Sequence, residues 1–170
     1  MSSLPNKWAE IQFDDIHAQK GYSRRWAYGQ SKRACLIFAF ELQRRLTKAN
    51  CKTIPVATHP GLCKTNLDQY FSSLIRPLGS LFLQSTKSGA MPVLYASLNK
   101  DIKGGEFISP GGFKQLRGYS TRIKAHEYSN NKEVAQHFWK TSQEITNVFY
   151  LEQIILKFPN KFFLINGFKF

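Results

Sequence analysis

The chain has 170 residues, of which 42% are hydrophobic and 14% aromatic, a length and composition that suit one domain with a core and exclude global disorder. Twenty-four Lys and Arg against 11 Asp and Glu give a net charge of +13, but the basic residues are spread along the chain without a basic arm. A solvated surface is therefore expected and nucleic-acid binding is the minority reading. Cys35, Cys51 and Cys63 form no Cys-x-x-Cys pair and no zinc-site spacing, so reduced packing residues and no metal centre are expected. The first residues, MSSLPNKWAE, lack the features of a signal peptide, and no apolar run approaches the roughly 20 residues of a bilayer span. A cytoplasmic protein is expected, with membrane association the lesser alternative.

In chain order, the first periodic element is a helix over residues 28–49. Cys35, Phe38, Ala39, Leu42 and Leu46 recur at spacings of three and four, and Arg44, Arg45 and Lys48 gather where cations oppose the negative pole of the helix dipole. TIPVATH follows as a strand rich in β-branched residues and ends at His59-Pro60-Gly61. Residues 62–85 have a looser pattern, read as short helices around a ligand-facing loop. A second helix is predicted over 86–98, with Pro92 in its first turn or kinking it. GEFIS reads as a second strand, and a third helix over 131–146 places Val134, Phe138 and Ile145 on one face.

This alternation is that of an α/β protein with a parallel sheet, but two strands are too few for a sheet that helices cover on both faces. The pattern predicts part of a larger fold. Residues 151–170 hold five of the 14 phenylalanines and one acid, without a clean period. They read as a packing tail, as an interfacial anchor flanked by Lys157, Lys161 and Lys169, or as sequence with no selected structure appended to a domain at 1–150; the last is adopted.

The chemistry concentrates in YGQSK at 28–32. On a helix, Tyr28 and Lys32 lie on one face. A free phenol titrates near ~10, too high for efficient proton exchange at neutral pH, and a neighbouring ammonium favours the phenolate. The bland alternative is a helix turn with a packed Tyr and an exposed Lys. Tyr128 and Lys132 in YSNNK repeat the spacing, so spacing alone does not choose.

The surrounding residues do. AYGQSKRACLIFAFELQRRL resembles the active-site helix of the short-chain dehydrogenases/reductases, with their Tyr-x-x-x-Lys motif and Ser31 before the Lys. FDDIHAQKGYSRRWAY and KGGEFISPGGFKQLRGY are similar to the retinol-dehydrogenase-like branch. The resemblance implies that Tyr28 is the catalytic acid/base, that Lys32 favours its phenolate and binds the nicotinamide ribose, and that Ser3, 25 positions earlier, holds the substrate oxygen. HPGLCKT matches the family's Pro-Gly-x-x-x-Thr segment, which implies cofactor contacts from Pro60, Gly61 and Thr65. NAD or NADP is the implied cofactor, a lipophilic carbonyl or alcohol the implied substrate, and the 28–49 helix an implied homo-oligomer contact. Residues 67–83 would form the substrate-side wall.

No Gly-x-x-x-Gly-x-Gly turn and no Asn-Ala-Gly segment occur in the sequence. The expected fold is therefore α/β, the C-terminal half of a doubly wound parallel-sheet (Rossmann-like) domain, with the N-terminal dinucleotide-binding half absent. Such a chain is expected to be marginally stable alone and to bind cofactor poorly. The alternative to an oxidoreductase is a non-enzymatic remnant that binds a partner through its strand edges.

Overall fold

A computed structural model describes residues 1–63 and 83–149. After two 3-10 turns at Leu4–Lys7 and Phe13–Asp15 come helix α1 (Arg24–Lys48), strand β1 (Ala57–Thr58), helix α2 (Thr86–Leu98), strands β2 (Phe107–Pro110) and β3 (Ser120–Arg122), and helices α3 (Glu127–Asn130) and α4 (Lys132–Thr146).

Helix α1 starts a turn earlier than the apolar pattern predicts. The Ser23 hydroxyl accepts from the Trp26 N–H and so caps one free donor of the first turn, and residues 24–27 are helical. Its end is held by Glu41, buried and bonded at 2.9 Å by both Arg44 and Arg45. The buried face differs from the predicted stripe. Leu36 and Phe40 pack with Ala57, Phe107 and Ala125, whereas Ile37 packs with Ile11 and Ala135 of a second cluster. Burying side chains of this size contributes about 1.5–3 kcal/mol each. Cys35 and Phe38 are exposed, with Phe38 stacked on the Trp139 ring. Residues 34–40, Ala-Cys-Leu-Ile-Phe-Ala-Phe, are apolar on every side of the helix, so period alone could not choose the side that meets the sheet.

The sheet has order β1-β2-β3 and is mixed. β1 and β2 pair in parallel, Ala57 opposite Phe107 and Thr58 opposite Ile108. β3, which the sequence pattern misses, pairs antiparallel with β2 from Ile108–Arg122 to Pro110–Ser120. Both predicted strands are shorter than expected. TIPVATH is a strand only over Ala57–Thr58, held to β2 through Ala57 N–H to the Glu106 carbonyl and His59 N–H to the Ile108 carbonyl, with Gly105 N–H reaching the Pro55 carbonyl just before it. Phe107 faces the α1 side and its neighbour Ile108, fully buried, faces the other, where α2 packs.

α2 has the predicted bounds, capped by the Ser85 hydroxyl on Ser88 N–H, but Pro92 is buried at its centre rather than in its first turn. α4 begins at Lys132 because the Asn131 carboxamide oxygen accepts from both Glu133 and Val134 N–H. Val134 and Phe138 of the predicted face pack, partly buried, against the Ile11, Ile37 and Ala135 cluster, with Ala135 and Trp139 buried beside them, while Ile145 is exposed.

Candidate active site

Tyr28 and Lys32 occupy one face of α1, and the Lys32 ammonium lies 5.5 Å from the centroid of the Tyr28 ring. Tyr28 is 39% exposed, so its phenol is open to a ligand. The residues between them lock the helix from the opposite side. Gly29 is buried against Ala9 and the Trp8 ring, so close that a β-carbon there would come within 2.7 Å of Ala9 Cβ. The buried Gln30 carboxamide accepts from Gln12 N–H at 2.9 Å and donates to the Ile16 carbonyl at 3.2 Å. Segment 8–16 is thereby strapped over α1, fixing which face Tyr28 presents. Ser31 donates to the Tyr28 carbonyl at 2.8 Å.

The N-terminal serines enter from the side. The Ser2 hydroxyl donates to the Lys32 carbonyl at 2.9 Å, and the Ser2 N–H donates to the Thr58 carbonyl at 2.8 Å. Ser2 therefore joins α1 to β1 and leaves Ser3 next in the chain, in extended backbone, with no capping bond from its own hydroxyl. The Asn6 side chain bonds the Ser3 carbonyl.

β1 ends at His59, Pro60 and Gly61, at the carboxyl end of the parallel pair, where open α/β sheets bind ligands. His59 Nδ1 accepts from Gly61 N–H at 3.1 Å, and Gly61 takes φ +79°, a conformation glycine adopts without strain. A side chain at Gly61 would also strike the Leu116 carbonyl, which accepts from Leu62 N–H at 2.7 Å. His59 is 1% exposed, and its Nε2 has no partner among the described residues. Burial, with the nearby Lys7 charge, pushes its pKa down to about 4.

The structure thus gathers Ser2, Ser3 and Lys32 around the α1–β1 junction and puts Tyr28 on the Lys32 face. No hydrogen bond joins Ser3 to Tyr28, or Tyr28 to the Pro60–Gly61 turn, among the described residues. Thr65, most of the predicted substrate wall at 67–83 and the tail at 151–170 lie outside the described residues. Among the described residues no group of His, Cys, Asp and Glu could hold a metal ion. No helix there is long and apolar enough to cross a membrane.

The second Tyr and Lys pair is separated structurally. Tyr128 lies in α3 and Lys132 opens α4, and the Tyr128 hydroxyl accepts from Ile11 N–H at 3.2 Å. Sequence reasoning missed the supports rather than the pair. Ser2 stood only as the neighbour of Ser3, and Gln30 and Gly29 only as the unnamed middle of Tyr-x-x-x-Lys.

A groove of about 400 Å³ lies beside this junction, lined by Ser2, Cys35, Phe38, Leu42, Val56 and Ala57 among others. It follows the side of β1 where Ser2 provides the one backbone bond opposite β2 among the described residues.

No family model matches the chain. Mouse retinol dehydrogenase 12 is 31% identical over 150 residues, which are 87% of this chain and 45% of that protein. Human retinol dehydrogenase 14 is 33% identical over 84% of this chain and 42% of its own length. Human polyprenol dehydrogenase is 28% identical over 87% and 44%. An uncharacterised protein of Mycobacterium paratuberculosis, solved by crystallography, superposes with a TM-score of 0.69 at 29% identity, covering 88% of this chain and 49% of that one. The chain belongs to the short-chain dehydrogenase/reductase family, on its retinol-dehydrogenase-like branch. It spans less than half the length of the curated relatives it matches, corresponding to their C-terminal part and to a partial Rossmann-like domain.

Proposed function

We propose that the chain is the catalytic and substrate-side half of an NAD(P)-dependent oxidoreductase acting on a lipophilic alcohol or carbonyl compound. The placement of the Lys32 ammonium against the exposed Tyr28 carries this reading. Support comes from the names of its relatives, which are dehydrogenases of retinol and polyprenol.

Tyr28 passes a proton to or from the substrate oxygen. Lys32 sets its positive charge beside the Tyr28 ring and offers donors to a ribose hydroxyl. Ser3, whose hydroxyl makes no capping bond, holds the substrate oxygen beside Tyr28. Pro60 and Gly61 shape the turn at the carboxyl end of β1, and Thr65 follows in the same segment as a further cofactor contact. The nicotinamide dinucleotide supplies the hydride chemistry. Tyr28, Lys32 and the Pro60–Gly61 turn suit its nicotinamide and ribose end. No glycine-rich turn in this sequence suits its diphosphate, which is then bound by residues outside the chain, seated along the open side of β1 and the groove over Cys35, Phe38 and Leu42.

The test is co-expression of this chain with the N-terminal half of a relative, followed by reduction of a lipophilic aldehyde with NADPH or NADH. Turnover that Tyr28→Phe abolishes is expected. Turnover that survives Tyr28→Phe would sink the reading. Association without turnover, unaffected by Tyr28→Phe, would favour a non-enzymatic partner-binding module.

A further inference from the structure

We infer that His59 and Gln84 are positioning residues that grip the Pro60–Gly61 peptide from its two ends and so present a rigid turn to the nicotinamide end of the cofactor. The use of the grip, though not the grip itself, rests on the oxidoreductase reading above. The Gly61 N–H donates to His59 Nδ1 at 3.1 Å. The Pro60 carbonyl is the other end of the same planar unit, and it accepts from the Gln84 carboxamide and, at 3.2 Å, from the Cys63 thiol. A peptide plane held at its nitrogen and at its oxygen cannot turn over without breaking both sets of bonds.

Packing alone explains neither side chain. Because the Gly61 N–H can only donate, Nδ1 is the bare nitrogen of the His59 ring and the proton sits on Nε2, which is buried without a partner among the described residues. An apolar side chain would fill the same space without leaving a buried donor unmet, so what the imidazole adds is the acceptor for Gly61. Gln84 is buried as well. Its backbone N–H bonds the Leu62 carbonyl at 2.9 Å, which fixes the residue before the Ser85 cap of α2 while its side chain reaches back to Pro60. Cys63, 3.6 Å from the same carboxamide nitrogen, is seated against Gly89 near the start of α2, where any β-carbon would strike its sulfur.

The grip thus ties the end of β1, through His59, to the start of α2, through Gln84, and the Leu116 carbonyl of the β2–β3 connection holds the next amide, Leu62 N–H. Glycine has the freest backbone of any residue, so without these bonds the Pro60–Gly61 plane would sample several orientations and a ligand would have to order it on binding. With them the turn is set before the ligand arrives, at the carboxyl end of the parallel pair. A catalytic role for His59 fits less well, because a ring 1% exposed reaches no open surface from which a substrate could be touched.

The experiment has two arms. In the full chain alone, hydrogen exchange of the Gly61 amide is followed by NMR. His59→Leu removes its acceptor directly. Gln84→Met touches only the far end of the peptide, yet it should also speed Gly61 exchange by about tenfold, with circular dichroism unchanged. His59→Asn, which returns an acceptor, should restore protection. No change at Gly61 in Gln84→Met overturns the grip, and so does a rise spread evenly over β1, β2 and α2, the mark of a general loss of stability. In the chain co-expressed with a relative's N-terminal half, His59→Leu and Gln84→Met should each raise the KM for NADPH or NADH by about tenfold while kcat at saturating cofactor falls by less than about threefold, whereas Tyr28→Phe removes kcat. The double variant should raise KM no further than the single ones, because either loss frees the same peptide. Additive effects would mark two independent sites and overturn the positioning role, as would an unchanged cofactor KM beside altered Gly61 exchange. Absence of turnover in the wild-type pair sinks the oxidoreductase reading and the cofactor role with it, while the exchange arm still decides the grip.

Discussion

Ser2 and Lys32, thirty residues apart, are joined by a 2.9 Å hydrogen bond from the serine hydroxyl to the lysine carbonyl. The same serine donates its N–H to Thr58, so a single residue couples the helix bearing Tyr28 to the strand that ends at Pro60 and Gly61. Ser3 makes no such side-chain bond. The two serines therefore have separable roles, one as a strut and one as a proposed substrate contact.

Ser2→Ala removes one partly buried hydrogen bond and should cost about 1 kcal/mol of stability. Ser3→Ala should leave the thermal midpoint unchanged and lower turnover in the complemented enzyme. Melting curves of the two variants beside the wild type make the comparison. A larger stability loss from Ser3→Ala than from Ser2→Ala would show the assignment to be reversed.

Gly29 sets two effects against each other. Alanine is the better helix former by about 1 kcal/mol, which alone would make Gly29→Ala stabilising. The added β-carbon would lie 2.7 Å from Ala9 Cβ and 2.9 Å from the Trp8 ring. The Trp8 ring can swing outward, but Ala9 Cβ is fixed to the backbone. Overpacking of this kind costs roughly 1–3 kcal/mol, so a net destabilisation is expected, with lower protection of the Gln12 amide from hydrogen exchange as the strap lifts. A raised thermal midpoint would contradict the close approach.

How far these relationships could be read from the residues differs by element. α2 was legible to its ends because Ser85 caps it, Ala90, Val93 and Leu94 recur at helical spacing within it, and Asn99 closes it. β3 was not, because Ser-Thr-Arg carries no apolar alternation and forms through its pairing with β2. The side of α1 that meets the sheet was hidden for a different reason. Arg33 and Glu41 are buried in it while Cys35 and Phe38 are exposed, the reverse of what polarity predicts, because Arg44 and Arg45 of the same helix pair with Glu41 and the Ser129 side of the fold receives Arg33. Tyr28 and Lys32 emerged through their resemblance to a family motif and through the Pro-Gly turn ahead of them. Their spacing was shared by Tyr128 and Lys132, which the fold puts on different helices.

His59 makes stability depend on pH. Its folded pKa is about 4 against an unfolded value of 6.5, held down mainly by burial. A lowered value means that the unfolded chain binds the proton more readily. The contribution is therefore fully present above about pH 6.5, declines as pH falls, and is gone below about pH 4, amounting to roughly 3 kcal/mol over the window. His59→Asn keeps an acceptor for Gly61 N–H and removes the titration. Its thermal midpoint should fall less steeply than that of the wild type across this range, and parallel profiles would rule the histidine out.

Arg33 presents the opposite case, a charge that the fold buries with no direct ion pair among the described residues, the Glu10 carboxylate acting on it only from a distance. It is 1% exposed, its NH1 makes only 3.4 Å contacts to His126 and Ser129, and its Nε has no partner among the described residues. Its guanidinium lies 5.0 Å from the centroid of the Tyr128 ring, and burial lowers its pKa. A buried charge so weakly compensated stabilises less than an apolar side chain of similar volume. Arg33→Met should therefore be neutral or stabilising by about 1–2 kcal/mol. Arg33→Ala, which leaves a cavity between α1 and α3, should destabilise by about 2–4 kcal/mol. Chemical denaturation of both variants separates volume from charge. If Arg33→Met and Arg33→Ala cost the same stability, the guanidinium itself holds α3 to α1, and the weak contacts are worth more than their lengths imply.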